Sequence, residues 1–157
     1  MPMMLIAAAL LAAAAPGVEP INAHDPVVLE QQLREMGFEP DPFKLTETSA
    51  NTVLHLSGGT LAVSLGGCTK GKNCTYVVLV GSFNDILKPP ADWVARMNVN
   101  YDLIKVWVRD DGKLAYSAGG IVDGIPRSVL RRWIERVEAS SDDLGAEAVK
   151  AGYGPKK

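Results

Sequence analysis

Cys68 and Cys74 are the only cysteines in the chain, and they stand either side of a five-residue loop in GGCTKGKNCTYVVLV. Paired cysteines hold a metal, exchange electrons or form a structural bridge. A structural zinc site takes four ligands, with Cys or His pairs at short spacing. The chain offers two cysteines and two histidines, His24 and His55, far apart in sequence. Thioredoxin-like redox pairs are spaced C-x-x-C, which this pair is not. A structural disulfide Cys68–Cys74 is the simplest reading, closing Thr69-Lys70-Gly71-Lys72-Asn73 between two strand-like runs. Free or regulatory thiols and a metal pair are the alternatives. The loop's Gly and Lys residues evoke an anion cradle, but a Walker A loop opens a helix with GKS or GKT, and here GKNC leads into a strand.

Other residues capable of chemistry are scattered. His55 would serve a hydrolase only beside a nucleophile and an orienting carboxylate, and the chain has no G-x-S-x-G elbow. Asp110-Asp111 lacks the ligand spacing of a calcium loop and, followed by Gly112, reads as a hairpin turn. Arg127, Arg131, Arg132 and Arg136 cluster near the C-terminus, interleaved with Glu135 and Glu138. That pattern reads as a solvated helix face, with a partner-docking patch as the alternative and nucleic acid disfavoured. Lys105, Trp107 and Arg109 alternate along one strand, opposite Ile104, Val106 and Val108. The Trp107 ring either packs against the C-terminal helix or, exposed between two cations, forms a partner or dimer contact. No metal or cofactor site is expected.

These residues must be positioned by a core, and the composition supplies one. Of 157 residues, 47% are hydrophobic and 22% charged, the balance of a globular domain rather than a disordered chain. The formal net charge of −2 gives no global pull towards nucleic acid or anionic membranes. Residues 4–15 read MLIAAALLAAAA, an apolar run short for a membrane span and suited to the h-region of a signal peptide. Small-residue cleavage sites follow Ala14 and Ala23, so residues 1–23 are expected to be a leader. A retained anchor, or a wrongly assigned start or buried helix, is the alternative. The run has no neighbouring cysteine for a lipoprotein anchor. The expected location is the periplasm or the cell exterior, which also suits a disulfide, with no stable membrane span after cleavage.

The elements follow in order. Asp25 is an N-cap, Pro26 sits at N1 and Gly37 at C′ of a first helix. Residues 43–47 form a weak edge strand. Residues 52–56 and 60–65 form a hairpin about Ser57-Gly58-Gly59, and 75–80, apolar on both faces, a central strand. A short helix runs to about Met97, with Trp93 on its apolar face, and Asn98-Val99-Asn100 ends it. Strands at 103–108 and 113–118 flank the Asp-Gly turn. Pro126 then opens a helix through 140, whose stripe Val129, Leu130, Trp133, Ile134 and Val137 docks on the sheet. Residues 142–151 extend or restart that helix, ahead of a frayed tail. The expected fold is α+β: an antiparallel sheet with flanking helices, in the order α-β-β-β-β-α-β-β-α. One domain spans 24–141, with a C-terminal extension at 142–157.

Several short features occur in an order that resembles the YbjN family of bacterial sensory transduction regulators. They are Met36-Gly37-Phe38 at the end of the first helix, Gly67-Cys68 with Cys74, Phe83, Asn98-Val99-Asn100, and Asp123-Gly124-Ile125-Pro126 leading to Leu130 and Trp133. The resemblance implies a fold like that of type III secretion chaperones, often dimeric. It implies protein or peptide binding rather than catalysis, and it brings no catalytic residues. The expected function is therefore a non-enzymatic exported binding module, chaperone-like or acting in envelope-stress or sensory regulation, with a homodimer as one expected form. A small hydrolase using His55 and a structural envelope factor are the alternatives.

Overall fold

The computed structural model describes residues 19–121 and 124–155. Most of the expected leader, Asp123 of the family-like motif and the last two lysines lie outside the described residues. Three helices and seven strands are described: α1 (Pro26–Glu35), β1 (Glu39–Pro40), β2 (Lys44–Leu45), β3 (Ser49–Leu56), β4 (Gly59–Gly66), β5 (Tyr76–Leu87), α2 (Ala91–Asn100), β6 (Lys105–Val108), β7 (Lys113–Gly120) and α3 (Arg127–Lys150). The fold is α+β. The strands form one antiparallel sheet in the order β1-β3-β4-β5-β7-β6, with β2 also on β3.

The local signals act as their chemistry requires. The Asp25 carboxylate accepts from the Val27 N–H at the start of α1. Gly37, with φ 91°, takes the left-handed position that ends it, and the Phe38 N–H reaches back to the Leu33 carbonyl. The Asp-Gly hairpin closes through Gly112, φ 83°, and an Arg109 N–H bond to the Lys113 carbonyl.

Strand alternation then sorts the side chains. Leu54 pairs with Leu61, Val63 with Leu79, Leu65 with Val77, and Val106 with Tyr116, so these residues share one face of the sheet. The helices cover that face. Leu29 and Leu33 of α1 and Leu130 and Ile134 of α3 meet Val63, Leu65, Val77 and Leu79 around a gap of only about 10 Å³. Fully burying aliphatic side chains of this size stabilises the fold by roughly 1.5–3 kcal/mol each. Gly81 faces Tyr116 across β5 and β7, and a Cβ there would sit 2.2 Å from the ring, so only glycine lets the phenol lie across the strand.

Three features differ from the sequence expectation. First, β5 continues to Leu87 rather than stopping at Val80, paired to β7 through a register shift between Ser82 and Leu87. Second, Glu39-Pro40, outside every expected strand, makes two pairs with β3. Third, α3 is one helix to Lys150, with Leu144 and Ala148 fully buried, so residues 142–150 are part of the domain and bring two side chains to its core. The domain also takes in residues ahead of His24. Ile21 and Ala23 are 4% and 1% exposed. The Ile21 N–H donates to the Ile125 carbonyl and the Arg127 N–H to the Glu19 carbonyl. The Arg127 guanidinium bridges Glu19 and Glu35, fastening this segment to α1 and α3.

Candidate partner-binding groove

Cys68 and Cys74 are bonded, and Cys74 is fully buried. Their loop turns through left-handed residues Lys70, Gly71 and Asn73. It is tied down by the Cys68 N–H to the Thr48 carbonyl, Gly71 N–H to Glu47 and Asn73 N–H to His24. Its Gly and Lys residues thus form a structural tip, with Lys72 paired to Asp25. Among the described residues no three His, Cys, Asp or Glu side chains gather where they could hold a metal ion.

His55 sits exposed on β3. Its Nε2 lies 3.0 Å from Asp41 Oδ1, and no hydroxyl or thiol of the described residues hydrogen-bonds the ring. Asp111 pairs with Arg109 and Lys113 and accepts from the Lys113 N–H, a turn rather than a metal loop.

Lys105, Trp107 and Arg109 stand on the sheet face away from α1 and α3. Trp107 pairs with Ala115, whereas its neighbour Val106 pairs with Tyr116 on the helix-covered side. Packing of Trp107 against the C-terminal helix is therefore corrected: the strand's alternation sends Val106, 2% exposed, into the core and leaves Trp107 half-buried over Ala115. Lys105 and Arg109 flank it, exposed.

The Asn98 side chain holds the edge of the sheet. Its amide donates to the Val106 carbonyl at 2.8 Å and its oxygen accepts from the Val106 N–H at 2.8 Å. The carboxamide thus replaces the peptide group of a further strand, blocking β6 from pairing at that point.

The concave feature lies elsewhere, beside α3. Trp133, expected in the core, is only half-buried, and its indole lies over Gly120, where a Cβ would stand 3.5 Å from the ring. Trp133 and Val129, one turn apart and the latter 50% exposed, floor a groove of about 470 Å³ that Leu103, Ser128, Arg132 and Arg136 complete. The floor continues past Gly119 and Gly120 to Ile125 and Ile121, the last 79% exposed. Sequence reading missed this site because Val129 and Trp133 fall on the same helical stripe as the buried Leu130, Ile134 and Val137. The available signal was the width of that stripe, which exceeds what one sheet face covers.

Of the four clustered arginines, Arg127 and Arg131 are paired, to Glu19 and Glu35 and to Glu135 respectively. Arg132 and Arg136 have no ion-pair partner among the described residues and stand on the rim of the groove. A second, smaller pocket lies between the β3–β4 turn and α3. Glu138, Ser141, Asp142 and Tyr116 line it, and Ser57 Oγ donates to Glu138 at 3.2 Å. Burial raises the Tyr116 pKa, and the nearby Asp142 and Glu138 charges act in the same direction against a Ser141 hydrogen bond.

No known protein family, curated protein or solved structure matches the chain.

Proposed function

We propose that this chain is an exported, non-catalytic binding module that holds a protein or peptide partner. The observation that carries this reading is the open apolar groove floored by Val129 and Trp133, with a solvent-exposed aliphatic rim in a domain whose core is otherwise closed. Apolar patches of this kind on a folded domain mark interaction sites. A helix-on-sheet architecture with both features is in keeping with the YbjN-like, chaperone-like reading, with an envelope-stress or sensory role and with a homodimer as a working form.

Export is supported by the disulfide, which persists in oxidising compartments, and by the leader-like residues 4–15. No helix among the described residues is long and apolar enough to cross a membrane. Hydrolysis through His55 has little to support it, because its partner Asp41 is as exposed as the imidazole and no nucleophile among the described residues hydrogen-bonds the ring.

The test is site-specific photo-crosslinking in the cell envelope of the native host, with the reactive side chain placed at Val129 and, separately, at Trp107. A discrete adduct with one protein from either position supports the binding module. A chain bearing no adduct at either position, while correctly folded and disulfide-bonded, overturns it in favour of a structural envelope factor.

A further inference from the structure

We infer that the groove beside α3 receives an amphipathic helix whose apolar side is flanked by carboxylates one turn apart; this rests on the binding-module reading and names the partner's chemistry. The geometry lies along α3. Val129 and Trp133 form an apolar ridge at i and i+4. Ser128, Arg132 and Arg136 form a polar ridge immediately beside it, also at i, i+4 and i+8. Adjacent ridges of this kind present two stripes in parallel, each repeating at about 6 Å along the helix axis.

The charges decide the sign of the occupant. The other cations of α3 are satisfied within the protein: Arg127 by Glu19 and Glu35, Arg131 by Glu135, Lys150 by Glu147. Arg132 and Arg136 alone on this helix have no acidic partner among the described residues, and among those residues the groove lining contains no Asp or Glu. They stand exposed at an apolar floor in a chain whose formal net charge is −2. A guanidinium prefers a carboxylate in bidentate geometry, and its strength rises as an apolar partner excludes water. Carboxylates spaced at i and i+4 on an incoming helix meet both arginines in one register, while leucine-like side chains one position away cover Val129 and Trp133. Helix-in-groove recognition uses this spacing of anchors. Strand addition is disfavoured at β6, where Asn98 occupies both outward groups of Val106.

The probes are two capped helical peptides with the same leucine stripe. One carries glutamate and the other lysine on the adjacent stripe. Binding to the full disulfide-bonded mature protein is read by fluorescence anisotropy of the peptide. The expected result is saturable binding of the glutamate peptide, weakened by added salt and falling about tenfold or more in the R132E/R136E double variant. That variant should in turn bind the lysine peptide better than the parent does. Because Arg132 and Arg136 are exposed, the double variant keeps its fold, and unchanged urea unfolding verifies it. Equal binding of both peptides, insensitive to the double substitution, overturns the inference and leaves an unselective apolar groove. Failure of both peptides, with a solution dimer that Val129→Asp dissociates, overturns it in favour of a second copy as occupant. Failure of both peptides with a monomeric protein overturns it outright. In each case a photo-crosslinked partner at Trp107 still upholds the binding-module reading.

Discussion

Reduction of Cys68–Cys74 should cost a definite and modest amount of stability. The bridge closes a ring of seven residues, from Cys68 to Cys74. Chain-entropy arithmetic for a ring this small gives about 2.4 kcal/mol at room temperature. The native loop should survive without the bond. It keeps backbone hydrogen bonds from Cys68 to Thr48, from Gly71 to Glu47 and from Asn73 to His24. The loss therefore falls on the unfolded state rather than on native packing. With an unfolding entropy of about 2.1 cal/mol/K per residue over roughly 135 folded residues, the melting temperature should drop by about 8 °C. The assay is urea and thermal unfolding of the protein with and without a phosphine reductant, followed by far-ultraviolet circular dichroism. The Cys68→Ala/Cys74→Ala variant serves as a second sample, and it should lose somewhat more because Cys74 is fully buried. Two results would falsify the reasoning. Global unfolding on reduction would mean the loop anchors the fold rather than trimming the unfolded ensemble. An unchanged midpoint would mean that so small a ring does not restrict the unfolded chain as the chain-entropy argument requires.

Three further outcomes are expected. Asn98→Leu removes both bonds to Val106 and should cost about 1–2 kcal/mol. It should also promote concentration-dependent association through the freed β6 edge, visible by sedimentation. A chain beginning at His24 should be about 2–4 kcal/mol less stable than one beginning at Glu19, because it loses the burial of Ile21 and the Asn22–Gln32 bond; equal urea midpoints would show that residues 19–23 are dispensable. The raised Tyr116 pKa means the fold holds the neutral phenol. Its contribution is intact below about pH 10, the unfolded value, and is lost as pH rises towards the folded one; Tyr116→Phe should remove that part of the alkaline destabilisation in melting curves.

What the sequence reveals and conceals follows from the range of the forces involved. The first helix is legible because Asp25, Pro26 and Gly37 act within a turn of their own positions. The Asp110-Asp111-Gly112 hairpin and the alternation of Leu61, Val63 and Leu65 are local in the same sense. The second half of β5 is not. Ser82, Asn84 and Asp85 are polar residues typical of a loop; the stretch is held by the pairing of Ser82 and Leu87 to β7 at either end of an irregularity, and Lys113 Nζ donates to Asn84 Oδ1. The side taken by Trp107 was equally hidden. Alternation places Lys105, Trp107 and Arg109 together, but only the pairing of β6 with β7 decides which face carries α3. The exposure of Trp133 is hidden for a related reason. A helical stripe shows which residues turn towards the sheet, yet not how far across the stripe the sheet extends. Here β7 ends in Gly120, whose missing side chain leaves the outer part of the stripe open.

The two edges of the sheet constrain how a partner can be held. On one side the outermost strands are two residues each, and Pro40 removes an N–H from the row. On the other, Asn98 consumes the outward N–H and C=O of Val106. Main-chain pairing gives affinity with little dependence on partner sequence, so blocking it removes the least selective way of binding and also the hazard of edge-to-edge aggregation. Recognition then falls to side-chain surfaces. The helix-free face offers Trp107 between exposed cations, on a face shared with half-buried Val53, Val78 and Val80 and with Ala62, Ser64 and Ser117. The groove beside α3 offers an aromatic floor and two arginines without ion-pair partners among the described residues. Buried aromatic floors with flanking arginines are where binding energy concentrates. A partner that reads both the apolar ridge and the arginines gains affinity from the first and register from the second. On the proposed reading, that division of labour accounts for Arg132 and Arg136 standing without ion pairs while Glu135 and Glu147 pair with Arg131 and Lys150.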